Sequence, residues 1–217
     1  MKTETAVEVH LPQNITLAGD LTIPAGASGI VLFAHGSGSS RQSPRNVYVG
    51  QQLHKGNLAT LLLDLLTEKE ERIDTKTVSR RFDIDFLAER LIAAARFLKN
   101  SPETSHLPIG VLGASTGGGS ALVAAAQKPD WIQAAVSQGG RPDLALQWLP
   151  LVQAPTLLIV GGNDPAIIHL NQDAYTKLKC EKEFHIIEGA GHLFEEQGMM
   201  EQVAELARSW FQSKLKS

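Results

Sequence analysis

The sequence predicts a single α/β domain built on a mostly parallel sheet. Three observations carry this: short, wholly apolar runs recur along the chain, amphipathic segments of helical period separate them, and glycine-rich turns follow several of the runs. At 217 residues the chain suits one compact domain. It is 43% hydrophobic and 20% charged, the composition of a globular protein rather than a disordered one.

The elements follow in order. Val7, Val9 and Leu11 alternate with Glu8 and His10, and Ile15, Leu17, Leu21 and Ile23 continue the alternation beyond Pro12-Gln13-Asn14. Period-two patterning interrupted by a turn predicts a hairpin at a sheet edge with one wet face. Ile30–Phe33, Thr60–Leu63, Ile109–Leu112, Ala134–Val136 and Thr156–Val160 are continuous apolar runs, as expected of parallel strands buried on both faces. Ile84, Leu87, Leu91, Ala94 and Leu98 share one helical face ahead of the stop signal Asn100-Ser101-Pro102, and Val203, Leu206, Ala207 and Trp210 do the same near the C-terminus. The charged stretch from Thr67 to Arg80 reads as a solvated loop and helix start at the carboxyl edge of a strand, where it could flank a site. Cys180, the single cysteine, excludes an internal disulfide and reads as a packing residue.

The segment with most chemical content is Ile109-Gly-Val-Leu-Gly-Ala-Ser-Thr-Gly-Gly-Gly-Ser120. A buried strand enters Gly113-Ala114-Ser115-Thr116-Gly117 and a small-residue helix leaves it, which is G-x-S-x-G in a strand–turn–helix setting. Such a turn strains the serine backbone, raises its hydroxyl above the sheet and directs a helix N-terminus at it, so Ser115 is the candidate nucleophile and the Thr116 N–H a candidate oxyanion donor. The competing dinucleotide-binding turn requires G-x-G-x-x-G after the first strand, and this segment is neither that pattern nor in that place. Phe33-Ala34-His35-Gly36-Ser37-Gly38 closes an earlier strand, and the Ser37 N–H is the candidate second donor, with His35 read as a packed structural histidine. Asp164, in Gly161-Gly162-Asn163-Asp164-Pro165, and His192, in Gly189-Ala190-Gly191-His192, follow later strands. Serine, acid and histidine in this order suit a hydroxyl activated by a general base whose tautomer an acid holds. Asp143 and Glu188 are alternatives for the acid.

With these residues in view, the chain resembles the dienelactone-hydrolase-like branch of the α/β-hydrolases from about Ile30 to the C-terminus. The resemblance rests on His35-Gly36-Ser37-Gly38, Gly113 to Gly117, Asp164 and Gly191-His192. It implies an eight-stranded, mostly parallel sheet and cofactor-free hydrolysis of small esters, lactones or related acyl compounds through an acyl-serine. One departure is specific: dienelactone hydrolases proper carry a cysteine nucleophile where this chain has Ser115, so the resemblance covers the architecture rather than dienelactone as substrate. Acyl transfer or perhydrolysis by the same triad, and a hydrolase-fold binding protein without turnover, are the competing functions.

The remaining expectations are largely negative. His10, His54, His106, His169 and His185 lack metal-ligand spacing, so no metal is expected. A net charge of −3 provides no field for nucleic acid or an anionic membrane. The N-terminal residues show no signal-peptide core, so the expected setting is cytoplasmic. Only the 14 residues from Arg141 to Ala154 stand where cap domains usually enter, so no cap and an open, shallow site are expected, favouring short acyl chains. Arg41 and Arg45, in an acid-free stretch past the first oxyanion loop, are candidates for pairing with a substrate carboxylate.

Overall fold

A computed structural model of the chain describes residues 2–216. Its centre is an eight-stranded sheet in the order β1-β2-β4-β3-β5-β6-β7-β8. The strands are β1 (Thr3–Leu11), β2 (Ile15–Ile23), β3 (Gly29–Ala34), β4 (Leu58–Leu63), β5 (Ile109–Ala114), β6 (Ile132–Gln138), β7 (Thr156–Gly161) and β8 (Lys182–Ile187). The hairpin β1–β2 pairs antiparallel, β2 meets β4 antiparallel, and every pairing from β4 through β8 is parallel. β1 forms one margin of the sheet: Val9 is buried, opposite Leu17 on β2, while Glu4, Glu8 and His10 face water.

The apolar runs are central because both of their faces are covered. On β3, Ile30 and Leu32 enter one core while Val31 and Phe33 enter the other. The first core packs beneath α3 (Ile84–Asn100), α4 (Thr116–Gln127) and α5 (Pro165–Lys177); the second packs beneath α1 (Pro44–Lys55) and α6 (Met199–Lys214). Alternate side chains of one strand therefore feed two hydrophobic layers, which is why the run has no polar interruption. None of the described helices is long and apolar enough to cross a membrane.

Two segments settle differently from a plain loop. The Arg141–Ala154 stretch forms only short 3-10 turns, Pro142–Ala145 and Leu149–Leu151, and buries Ala145 and Leu149 against the first core. It adds no lid. The charged stretch after Thr67 is the helix α2 (Glu68–Thr77), started by a reciprocal capping box between Thr67 and Glu70. Its reading as a merely solvated segment is corrected by Asp74, which is fully buried. Asp74 accepts from the Arg80 N–H at 2.5 Å, the Arg81 N–H at 3.3 Å and Arg81 Nε at 2.6 Å. Charge count alone misses this, because the partners come from the chain that turns back after the helix.

Burial pushes the Asp74 carboxyl up, but the hydrogen bonds from Arg80 and Arg81 outweigh it and hold the group below its ordinary value. A depressed acid contributes stability above its unfolded pKa and loses it as pH falls through the folded one. Asp74→Asn should therefore cost roughly 2–4 kcal/mol at pH 7, with much less difference from wild type once the pH is well below about 4. Urea unfolding at pH 7 and in acid measures both.

Candidate active site

The carboxyl ends of β3, β5, β6, β7 and β8 converge on one cleft. At the end of β5 the chain turns directly into α4, and Ser115 occupies the turn with φ 52° and ψ −121°. A side chain is rarely held there unless its surroundings force it. The glycines at either end of the motif explain how the turn closes. A Cβ on Gly113 would stand 2.1 Å from the Gly117 carbonyl oxygen, and one on Gly117 would stand 2.1 Å from the Ala34 carbonyl oxygen on β3. Only bare backbone fits at both positions. The Ser115 N–H donates to the Gln138 carbonyl oxygen at 3.1 Å, tying the turn to the end of β6.

His192 lies in the loop between β8 and α6. That loop runs back over the neighbouring strand end so closely that a Cβ on Gly161 would meet the Ala190 carbonyl oxygen at 2.4 Å. His192 Nε2 is thereby brought to 3.4 Å from Ser115 Oγ, while Nδ1 lies 2.7 Å from Asp164 Oδ2. Asp164 is also the N-cap of α5, its other oxygen accepting from the Ile167 N–H at 3.5 Å. The 2.7 Å contact makes Nδ1 the donor, which leaves Nε2 free to accept from the serine hydroxyl. The alternative acids are elsewhere. Asp143 accepts from Arg141 Nε and Nη2, each at 2.8 Å, and Glu188 is exposed.

The loop after β3 lies directly against the elbow. The buried His35 holds it: the Leu65 N–H donates to His35 Nε2 at 3.0 Å, so the ring proton sits on Nδ1 and donates to the Gly36 carbonyl oxygen at 2.9 Å. This is the packed role expected of it, and it locks the ends of β3 and β4 together. Ser37 is where an oxyanion donor would be, but its N–H already donates to Thr116 Oγ1 at 3.0 Å. Thr116 itself is buried at the start of α4, where the first N–H groups of a helix lack intrahelical acceptors.

The two arginines separate. Arg41 is spent on structure: it ion-pairs with Asp64, and its Nε lies 3.0 Å from Asp20. Its N–H also donates to Asp64 at 2.7 Å. It does not line the cleft, which corrects its candidacy as a substrate contact, because two carboxylates contributed by β2 and the end of β4 claim it first. Arg45, by contrast, lines the cleft and pairs with Glu195 at 2.8 Å. Cys180 is a half-buried thiol 3.7 Å from Thr156 Oγ1, its pKa raised by burial, which is packing behaviour.

The cleft over Ser115 has a volume of about 240 Å³ and opens beside a groove of about 710 Å³, the two sharing Ser37, Ser39, Ser43, Arg45 and Leu193. Sequence reasoning missed several of its walls, among them Ser39, Ser43, Asn46, Gln138 and Leu193. The available signal for Gln138 was a polar residue at the carboxyl end of a parallel strand, the edge where such sheets bind ligands.

The profile of the dienelactone hydrolase family matches residues 25–215. The chain belongs to the dienelactone hydrolase family. A crystal structure of dienelactone hydrolase from Anabaena variabilis superimposes with a TM-score of 0.97 at 56% identity, over 99% of both chains. Est1E from Butyrivibrio proteoclasticus gives a TM-score of 0.80 at 16% identity over 96% of this chain and 98% of its own, a likeness of fold. A Mycobacterium tuberculosis protein named "putative phosphoribosyl transferase" is 52% identical over 197 residues, which is 91% of this chain. This chain spans only 44% of the length of that relative. The eight-stranded, mostly parallel sheet is the one the resemblance implied.

Proposed function

We propose that the chain hydrolyses small carboxylic esters or lactones through an acyl-serine at Ser115. The observation that supports this most directly is a serine on a strained elbow with His192 Nε2 3.4 Å from its oxygen and Asp164 2.7 Å behind the ring. Contacts of this length are commonly loose before substrate arrives and tighten in the reacting complex.

In this reading His192 takes the Ser115 proton as Oγ attacks the carbonyl carbon. Asp164 keeps the ring proton on Nδ1 and stabilises the imidazolium that forms. Negative charge develops on the carbonyl oxygen beside the N-terminus of α4, where the Thr116 N–H donates to it; the Ser37 N–H joins by exchanging the Thr116 hydroxyl for an anionic acceptor, which makes the stronger hydrogen bond. Collapse breaks the acyl–oxygen bond and the alcohol leaves with the proton from His192. A water molecule, deprotonated by the same histidine, then releases the acid and restores Ser115. The small volume over Ser115 and the absence of a lid among residues 141–154 favour short acyl groups. The phosphoribosyl transferase name belongs to a relative of which this chain spans less than half, and the residues around Ser115 support acyl chemistry instead.

Labelling of the purified chain by a fluorophosphonate, located at Ser115 by peptide mass spectrometry, tests the reading; an unlabelled Ser115 in folded protein refutes it. On the same material, a panel of short esters with and without a free carboxylate tests Arg45. An incoming carboxylate would take the place of Glu195, so Arg45→Ala should raise KM for the anionic esters by roughly 5- to 20-fold and leave the neutral ones little affected. Equal KM changes for both kinds of ester would remove Arg45 from the substrate site.

A further inference from the structure

Ligand clefts are mostly apolar with a few placed polar groups. The cleft over Ser115 carries a larger share of polar groups than that. Beside the reacting residues its walls are Ser39, Ser43, Arg45, Asn46 and Gln138, and Leu193 is its one large apolar side chain. Two of these walls are buried carboxamides, each only 7% exposed. Asn46 is partly engaged, its Nδ2 donating to the Ser40 carbonyl oxygen at 3.3 Å. Gln138 is not. Its side chain has one partner among the described residues, the Met200 thioether, 3.8 Å from Nε2, and thioether sulfur is a weak acceptor.

The Gln138 amide opens onto the cleft, so a substrate that displaces water there must replace the hydrogen bonds it takes away, or the amide is left unpaired. The position suits this. The Gln138 backbone carbonyl holds the Ser115 N–H, so the side chain emerges next to the reacting serine on the strand that lies between the Ser115 and Asp164 strands. We propose that Gln138 is a specificity-determining residue that reads a hydroxyl group on the substrate close to the scissile bond. The proposal rests on the hydrolase reading and deepens it.

The choice of hydroxyl follows from what an amide offers. Nε2 retains a proton to donate and Oε1 lone pairs to fill; a hydroxyl accepts from the first and donates to the second. A carboxylate satisfies only Nε2 and sets its charge against Oε1. An alkyl group satisfies neither and strips water from both, so the site rejects it.

Matched esters differing by hydroxyl against methyl test this by kcat/KM. Ethyl 2-hydroxypropanoate against ethyl 2-methylpropanoate places the group on the acyl side; 2-hydroxyethyl acetate against propyl acetate places it on the alcohol side. The wild-type enzyme should prefer the hydroxylated member in one of the two pairs by roughly 10- to 100-fold, the range of one or two buried hydrogen bonds. The pair that shows the preference identifies the side. Gln138→Met should bring the ratio close to one. Gln138→Glu, which keeps the shape and an acceptor but loses the donor, should retain part of the preference, and it serves if the methionine variant does not fold. Absence of preference in both pairs for wild type, or a preference undiminished in both variants, overturns the role of Gln138 while a fluorophosphonate-labelled Ser115 leaves the hydrolase reading standing. An unlabelled Ser115 overturns both.

Discussion

Ser115→Ala should lower kcat for a short ester by roughly ten-thousand- to million-fold, the loss seen when a serine nucleophile is removed from a triad. Substrate binding and folding should be nearly untouched. The elbow is set by contacts that do not involve the hydroxyl: the Ser115 N–H to Gln138 bond, and the approach of Gly117 to Ala34. Alanine has the same Cβ as serine, so the φ of 52° is no more strained than before. The variant should therefore melt within a few degrees of wild type while losing fluorophosphonate labelling. A folded Ser115→Ala protein with near-wild-type turnover would show that another residue attacks.

The next largest effect is expected at the acid. Asp164→Asn should lower kcat by roughly ten-thousand-fold, because an amide can donate to Nδ1 and favour the tautomer in which Nε2 carries the proton and no longer accepts from Ser115. The same substitution at Asp143 should leave most activity, since that carboxylate is held by both Arg141 contacts and is not the partner of His192. If Asp143→Asn were the damaging change and Asp164→Asn the mild one, the acid would belong to the loop after β6.

The parts of this molecule legible in the linear chain are those governed by local chemistry. An apolar run such as Ile30–Phe33 has no polar interruption because both its faces are covered, and that is visible before the helices are placed. The elbow is legible because its steric demands fall within a few residues, where Gly113, Ser115 and Gly117 must stand together. The reading fails where a side chain's partner lies far along the chain. Arg41 and Arg45 look alike in sequence, both basic and both in a polar loop. They differ only because Asp20 and Asp64 arrive at one and Glu195 at the other. Asp74 looked solvated among its charged neighbours, yet the returning chain at Arg80 and Arg81 buries it.

By itself the sequence determined the α/β architecture, the strand-to-helix turn that presents Ser115, and the order of serine, acid and histidine. Periodicity and backbone sterics act over a few residues and leave their mark in composition and spacing. Tertiary structure alone decided that His192 stands between Ser115 and Asp164, that Thr116 occupies the Ser37 N–H, that Arg41 is withdrawn from the cleft, and that Gln138 enters it nearly unpartnered. Hydrogen bonds and ion pairs reach only a few ångströms, so which groups they join depends on strand order and loop path, and spacing along the chain does not encode either.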